Sequence, residues 1–448
     1  MAGTILSVDI GTSSLKAAFI DLDGRLLAFS RESYARGAAD GNGAAVWEQA
    51  FARSFEKLCA LAPGNAPDAI CISGNGPTLA PVTATGETLQ PLYWHDGRKV
   101  LPESQSRSFF LPHVAWLKRN TPAEYAKARL FLSPHEWLSH RLGAEALAVL
   151  PSASYEPYFW DEDQCRLFDL DRGKFPPFVK MGSVMGKVSR EAALLFASAS
   201  GNCLKSGTPI IAGGTDFITA LIGTGTLRPG DVCDRAGSSE GINVCASSPV
   251  GGNDLRVLPH AKEGLWNISR IIPSSGRLFE EYINSTQQES RPYSELLAEL
   301  IPSADSQELF RDPDLPSSSS TGLLSKGRAV LCEIGFAVRD AARVLGAGGF
   351  TVREMKVSGG QAKNPRWNQL KADITGITLL VPEIPDGELA GNALLSAAAL
   401  GASSSLEEAA DNMIRVKDVY KPRPQTLSFW EERARLYEES KKKRDEDF

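Results

Sequence analysis

No Gly-x-x-x-x-Gly-Lys-Ser/Thr stretch occurs anywhere in the 448 residues, which excludes a P-loop nucleotide site. The chain also lacks any CxxC pair. Its seven cysteines (Cys59, Cys71, Cys165, Cys203, Cys233, Cys245 and Cys332) are odd in number and scattered, as expected of buried reduced thiols rather than a disulfide framework. The five histidines show no HExxH or similar ligand spacing, so no zinc site is expected. No apolar run approaches the roughly 18 residues that would span a bilayer. The start, Met1-Ala2-Gly3-Thr4, has no basic n-region, and the first apolar run is broken by Asp9 and Gly11. A cytoplasmic location with no membrane partner is the expectation. The formal charge of −6 supplies no basic field, so no nucleic-acid partner is expected either.

What is present is globular in composition, with 42% hydrophobic and 23% charged residues. At this length two or three domains are expected rather than one core. Thr4 to Asp9, Leu15 to Asp21 and Arg25 to Ser30 read as three strands, with Asp23-Gly24 turning between the last two. Val46 to Leu61 has helical spacing, and Asp68 to Ser73 reads as a buried strand. Strand and helix alternate, which points to an α/β class. Short helices are expected over 114–119, 122–128 and 134–142, then an irregular stretch over 151–177. A second α/β segment starts near Pro209. It holds a strand into Gly213-Gly214-Thr215-Asp216, a hairpin around Gly237-Ser238-Ser239, a helix over 327–345, a strand into Gly359-Gly360, and helices over 366–374 and 389–400. Ser317 to Ser320 reads as a solvated loop, and the tail from Trp430 as a charged helix.

Two of these segments repeat one pattern. Asp9-Ile10-Gly11-Thr12-Ser13-Ser14 and Asp234-Arg235-Ala236-Gly237-Ser238-Ser239 each set an Asp at a strand end, then a Gly, then small hydroxyl residues. Glycine lets backbone N–H groups converge, and Ser and Thr add donors, a combination that makes a nest for phosphate oxygens. The plain alternative is a pair of ordinary tight hairpins. An acidic side chain beside such a nest repels an anion unless a divalent cation lies between them, so Asp9 points to Mg²⁺ held partly through water and phosphate oxygens. Ser358-Gly359-Gly360-Gln361-Ala362-Lys363-Asn364 is a third element: Gly-Gly at a strand end allows flat, close approach of a base or ribose, and Asn364 offers an amide. After two phosphate hairpins it reads as the adenosine site.

Assembled in this order, the residues resemble the FGGY carbohydrate kinases of the actin/hexokinase/Hsp70 fold. The resemblance also runs through Trp94-His95-Asp96-Gly97-Arg98 (W-x-D-x-R), Trp116-Leu117-Lys118 with Asn120-Thr121-Pro122, Gly213-Gly214-Thr215-Asp216 (G-G-x-D), Ala372-Asp373-Ile374-Thr375-Gly376 and Gly391-Asn392-Ala393-Leu394. It departs where relatives carry a G-E-R-x-P loop. Here Phe310-Arg311-Asp312-Pro313-Asp314-Leu315-Pro316 and the serine run stand instead. The S-G-Q-M-H-G sugar loop of xylulokinases reads Ser73-Gly74-Asn75-Gly76-Pro77-Thr78, so xylulose is not carried over.

The resemblance implies two ribonuclease H-like (actin-like ATPase) domains, 1–208 and 209–448, with Mg²⁺ and ATP in an interdomain cleft and a small sugar or polyol as acceptor. A homodimer stays open. In this reading Gly11, Thr12, Ser13, Gly237 and Ser238 hold phosphates, Gly359, Gly360 and Asn364 hold adenosine, and Asp9 organises the metal. Lys16 either reaches a phosphate or faces solvent. Asp216 accepts the proton of the attacking hydroxyl, and its place at a helix start favours the ionised form; a capping role for the same residue is compatible. Asn75, Trp94, Asp96 and Arg98 face the acceptor, with the alternative that Asp96 and Arg98 form a structural ion pair.

Overall fold

The computed structural model describes residues 3–34, 39–100, 106–197, 204–237, 239–252, 254–301 and 322–446. Ser238, Cys203 and the 310–321 segment lie outside them. Among the described residues no helix is long and apolar enough to cross a membrane.

The chain divides into two compact units. Unit 1 comprises 1–227, 259–265 and 387–414, and unit 2 comprises 228–258, 266–386 and 415–448. In unit 1, β1 (Thr4–Ile10), β2 (Ser14–Asp21), β3 (Leu26–Ser33) and β4 (Ala69–Gly74) are followed by a two-stranded ribbon of β5 (Ala80–Thr83) and β6 (Ala128–Leu132). A short parallel pair, β7 (Ala148–Leu150) and β8 (Phe178–Lys180), comes next, then β9 (Val184–Lys187) and β10 (Pro209–Thr215). The main sheet runs β3-β2-β1-β4-β10-β9, with β1, β4 and β10 mutually parallel and the flanking pairs antiparallel.

β1 and β4 are mostly apolar and buried at every position, as central strands covered on both faces are. One cover is the helix Gly387–Ala399, which packs on β1, β4 and β10 and crosses the helix Asp216–Gly223. That crossing is backbone to backbone: a Cβ on Gly391 would strike the Thr219 carbonyl, and one on Gly223 the Gly387 carbonyl. Gly391 of the Gly391-Asn392-Ala393 motif therefore acts in packing, as does Gly223.

Unit 2 contains β11 (Val232–Ala236), β12 (Glu240–Ala246), β13 (Arg256–Pro259), β14 (Trp266–Ile272), β15 (Glu354–Ser358), β16 (Thr378–Pro382) and β17 (Val416–Tyr420) in the order β13-β14-β12-β11-β15-β16-β17. β14, β12 and β11 are antiparallel neighbours, β11, β15 and β16 are parallel, and β17 is antiparallel to β16. This is the strand plan of unit 1 again: an antiparallel trio, two further parallel strands and an antiparallel edge. The two glycine hairpins noticed in the sequence are the same hairpin of two related sheets.

The units do not meet at 208/209, the boundary expected from the sequence. β10 pairs with β4, which ties 209–227 to unit 1, and residues 387–414 return to unit 1 through the helix on β1 and β4. Long-range pairing of this kind leaves no local mark in composition. Most elements lie within a few residues of their expected places, the long helix of unit 2 running over Leu323–Ala347. The 151–177 stretch is less irregular than expected, holding a 3-10 turn over Ala153–Tyr158 and a helix over Glu162–Leu167.

Candidate active site

In unit 1 the sheet register decides which side chains meet. Asp9 lies opposite Lys16 on β2 and beside Ser73 on β4, while Gly214 of β10 lies beside Ser73 on its other side. Ser73 Oγ accordingly donates to Asp9 Oδ1 at 2.9 Å, and Lys16 Nζ stands 3.9 Å from Asp9 Oδ2 and 3.7 Å from Glu388 Oε2. Asp216 opens its helix immediately after β10, two strands from Asp9, on the same carboxyl edge of the parallel strands. That edge is where α/β sheets bind ligands. The Asp216 carboxylate accepts from the Phe217 N–H at 2.6 Å. Thr215, not Asp216, is the residue flanking the helix start.

Asp9 is 3% exposed and its carboxyl is pushed up to about 7. Burial is the largest cause, and the Glu388 and Asp216 carboxylates add to it, against the opposing pull of Lys16 and the Ser73 hydroxyl. Two carboxylates, Glu388 and Asp216, thus act on Asp9 against the Lys16 ammonium. Lys16, with 20% of its side chain exposed, has Asp9 and Glu388 among its partners.

The Gly11 turn does its work differently from the simple nest. Gly11 N–H donates to the Ser14 carbonyl at 3.0 Å, so the exposed Thr12 and Ser13 carry the donors that face outward. A Cβ on Gly11 would come within 2.9 Å of that same carbonyl oxygen, which is why the turn takes glycine.

Asn75 is 1% exposed. Its N–H and its Nδ2 both donate to the Ile10 carbonyl, at 2.8 and 3.2 Å, while its buried Oδ1 has no hydrogen-bond partner among the described residues. Next to it, His135 is buried and neutral: burial pulls its imidazole down to about 3, and neither ring nitrogen has a hydrogen-bond partner among the described residues. The missing side chain of Gly74 leaves room for it, since a Cβ there would lie 3.4 Å from His135 Nδ1. Trp94, 47% exposed, donates from Nε1 to Thr12 Oγ1 at 3.1 Å, joining its own loop to the first hairpin. Asp96 and Arg98 are engaged with each other: Arg98 N–H and Nε donate to the Asp96 carboxylate at 2.8 and 2.6 Å, and the guanidinium lies over the Trp116 ring. Burial acts upward on the Asp96 carboxyl, but the Arg98 hydrogen bonds and charge outweigh it and hold it low. The ion-pair alternative is the arrangement present.

In unit 2, Gly237 N–H is likewise used within its turn, donating to the Ser239 carbonyl at 3.0 Å. Gly359 has φ +97°, donates to the Pro385 carbonyl at 2.8 Å, and would clash with the Ala236 carbonyl if it bore a Cβ; Gly360 faces open space. Asn364 caps the helix Pro365–Thr375, its Oδ1 accepting from Trp367 N–H at 3.1 Å. Beneath the hairpin, Asp234 and Glu240 share the fully buried Lys371. Asp234 is therefore no second Asp9.

Glu388 and His135 were not singled out from the sequence. An acid in the first turn of a helix is ordinary dipole chemistry, and only the helix packing brings Glu388 to Lys16. Among the described residues no cluster of three or more acidic, His or Cys side chains has the geometry of a preformed metal cage.

Comparison with known proteins follows the same lines. The profile of the FGGY family of carbohydrate kinases, N-terminal domain, matches residues 103–223, and that of the FGGY family of carbohydrate kinases, C-terminal domain, matches residues 264–400. The chain is 23% identical to the xylulose kinase of Bacillus subtilis across 97% of its own length and 95% of that protein. It is 21% identical to the autoinducer-2 kinase of Salmonella paratyphi B, across 96% and 92%. The crystal structure of gluconate kinase from Lactobacillus acidophilus superimposes with a TM-score of 0.78 at 17% identity, covering 99% of this chain and 98% of that one.

Proposed function

The chain belongs to the FGGY family of carbohydrate kinases, with the two-domain actin-like ATPase fold, and from that premise we propose that Asp216 is the general base of an ATP-dependent transfer to a sugar or polyol hydroxyl. The observation that carries the reading is the placement of Asp216 and Asp9 on one carboxyl edge of parallel strands, close enough for the charge of one to raise the other. The acceptor hydroxyl gives its proton to the Asp216 carboxylate as its oxygen forms a bond to the γ-phosphorus. The bond from that phosphorus to the bridging oxygen breaks, and ADP leaves with the electron pair. Such a transfer asks the protein mainly for position and charge. Proton transfer completes late, so an ordinary carboxylate suffices.

Asp9 fits a hard divalent cation. It lies among carboxylates that together outweigh the one nearby ammonium, and the lack of a full protein cage suits Mg²⁺, which keeps waters and takes one or two carboxylates. Bound there, Mg²⁺ supplies positive charge against the phosphates. Lys16 keeps Asp9 and Glu388 from repelling each other and holds Asp9 toward the edge. Thr12 and Ser13 offer hydroxyls and N–H groups to phosphates, and Gly237, Gly359 and Gly360 serve the nucleotide. Asn75, through its orphaned Oδ1, accepts from an acceptor hydroxyl, and Trp94 supplies an exposed ring for a sugar face. Asp96 and Arg98 brace the loop that carries Trp94.

The test is ADP release from Mg-ATP with a panel of sugars and polyols, repeated on Asp216→Asn. The wild type should turn over with at least one acceptor, and the variant should lose about 10²–10⁴ in kcat. Turnover that survives the substitution overturns the base, and no acceptor-dependent release from the wild type overturns the kinase reading of this chain.

A further inference from the structure

The buried ion cluster of unit 2 has no part in the chemistry above. Lys371, on the helix Pro365–Thr375, is 0% exposed, and its Nζ lies 2.8 Å from Asp234 Oδ2 and 2.5 Å from Glu240 Oε1. Glu240 stands opposite Ala236 in the β11–β12 ladder, so both carboxylates lie on the sheet face that otherwise buries Val232, Ala236 and Ile242. Apolar side chains would do at least as well for stability there, because a buried ion pair seldom outperforms a well-packed hydrophobic replacement. The charges therefore call for another reason.

Connectivity supplies it. The Glu240 carboxylate also accepts from Ser275 Oγ, and Gln361 Nε2 reaches Ser275 Oγ at 2.9 Å and Glu240 Oε2 at 3.4 Å. Gln361 Oε1 in turn accepts from Trp367 Nε1 at 2.8 Å, and Lys371 Nζ sits 5.4 Å from the Trp367 ring centre. Gln361 directly follows Gly360. One buried network thus joins both strands of the Gly237 hairpin to the Gly359–Gly360 turn, which is itself pressed on the Ala236 carbonyl.

We propose that Lys371 is a positioning residue for nucleotide binding, fixing the spacing between the Gly237 hairpin and the Gly359–Gly360 turn so that the two accept one nucleoside polyphosphate. The inference rests on the nucleotide reading of unit 2. Charge balance agrees with it. Burial, then the Glu240 carboxylate, push the Asp234 carboxyl well above its usual range; burial acts upward on Glu240 too, but Lys371 and the hydrogen bonds it receives hold it low. Lys371 thus sets a positive charge against both carboxyl groups beneath the hairpin, which a lone Asp–Glu pair would lack.

The test is ADP affinity by titration calorimetry on the full chain, with Mg²⁺ present. The main variant is Lys371→Met/Glu240→Gln, which removes one charge of each sign. It should melt near the wild-type temperature and bind ADP at least tenfold more weakly, and its KM for ATP should rise while its KM for the acceptor moves less than twofold. Wild-type ADP affinity in a folded double variant, or an equal rise in both KM values, overturns the proposal. If the double variant does not fold, Gln361→Leu decides, because it cuts the link to the glycine turn and leaves the ion cluster in place. It should weaken ADP several-fold, and unchanged affinity overturns the proposal. Absence of ADP binding by the wild type is a separate result: it removes the nucleotide reading of unit 2, and the inference with it.

Discussion

Asp9 and Asp234 hold the same post in two sheets of the same plan, each near the end of the first strand of a glycine hairpin, each buried, each pushed upward by burial and a neighbouring carboxylate. Their partners separate them. Asp9 has Lys16 at 3.9 Å with 20% of that side chain exposed, whereas Asp234 has Lys371 at 2.8 Å with none exposed. The first ammonium is loosely held at an edge and leaves the carboxylate able to exchange partners. The second is sealed within a charge cluster and leaves no such freedom. A repeated sequence pattern thus sits in two charge settings, one partly open, the other sealed.

The widest gap between the two should appear in stability. Lys371→Met leaves Asp234 and Glu240 buried without their shared ammonium and should cost about 3–5 kcal/mol in denaturant unfolding. Lys16→Met, at a partly open and longer-range pair, should cost about 1 kcal/mol or less. Equal losses would mean that the two clusters differ less than their burial implies.

Activity should reverse the order. Asp9→Asn removes the carboxylate assigned to the metal and should lower kcat about 100-fold with the fold intact by circular dichroism. Asp234→Asn keeps the size and shape of a side chain held against Lys371 and should lower kcat less than tenfold. A catalytic loss at Asp234 as large as that at Asp9 would contradict the division of roles.

The smallest effect lies in the glycine pair. Gly359→Ala forces a side chain into a positive-φ position against the Ala236 carbonyl and should lower stability by about 1–3 kcal/mol. Gly360→Ala meets open space and should leave the melting temperature within a degree or two, while raising the KM for ATP if a nucleoside lies over it. A Gly360 variant with unaltered KM would move the adenosine contact elsewhere.

Much of this was legible in the chain itself. The strand-glycine-hydroxyl pattern marked both hairpins because turn chemistry is local: a tight reversal between β-prone runs needs glycine and small donors within a few residues. The strand-to-helix junction at Asp216 was legible in the same way, while the role expected of Asp216 came from the family resemblance. Lys16 was placed only as an either/or, since alternation along β2 says which face a side chain takes but not what lies there. Asn75 was found as a loop amide, but its unpartnered Oδ1 was not. Asp96 and Arg98 stood between two roles until their hydrogen bonds were seen.

Sequence alone determined the fold class, the two hairpins, the family resemblance and the short motifs, since each depends on periodicity or on residues a few positions apart. Only tertiary structure decided which charges meet. Glu388 reaches Lys16 because a helix from late in the chain packs on β1 and β4, and Lys371 reaches Asp234 across 137 residues of sequence. The unit boundaries were set in the same way, by the β4–β10 pairing and the return of 387–414. Coulomb energies and desolvation depend on distance and burial in space, and neither is written in the spacing of residues along the chain.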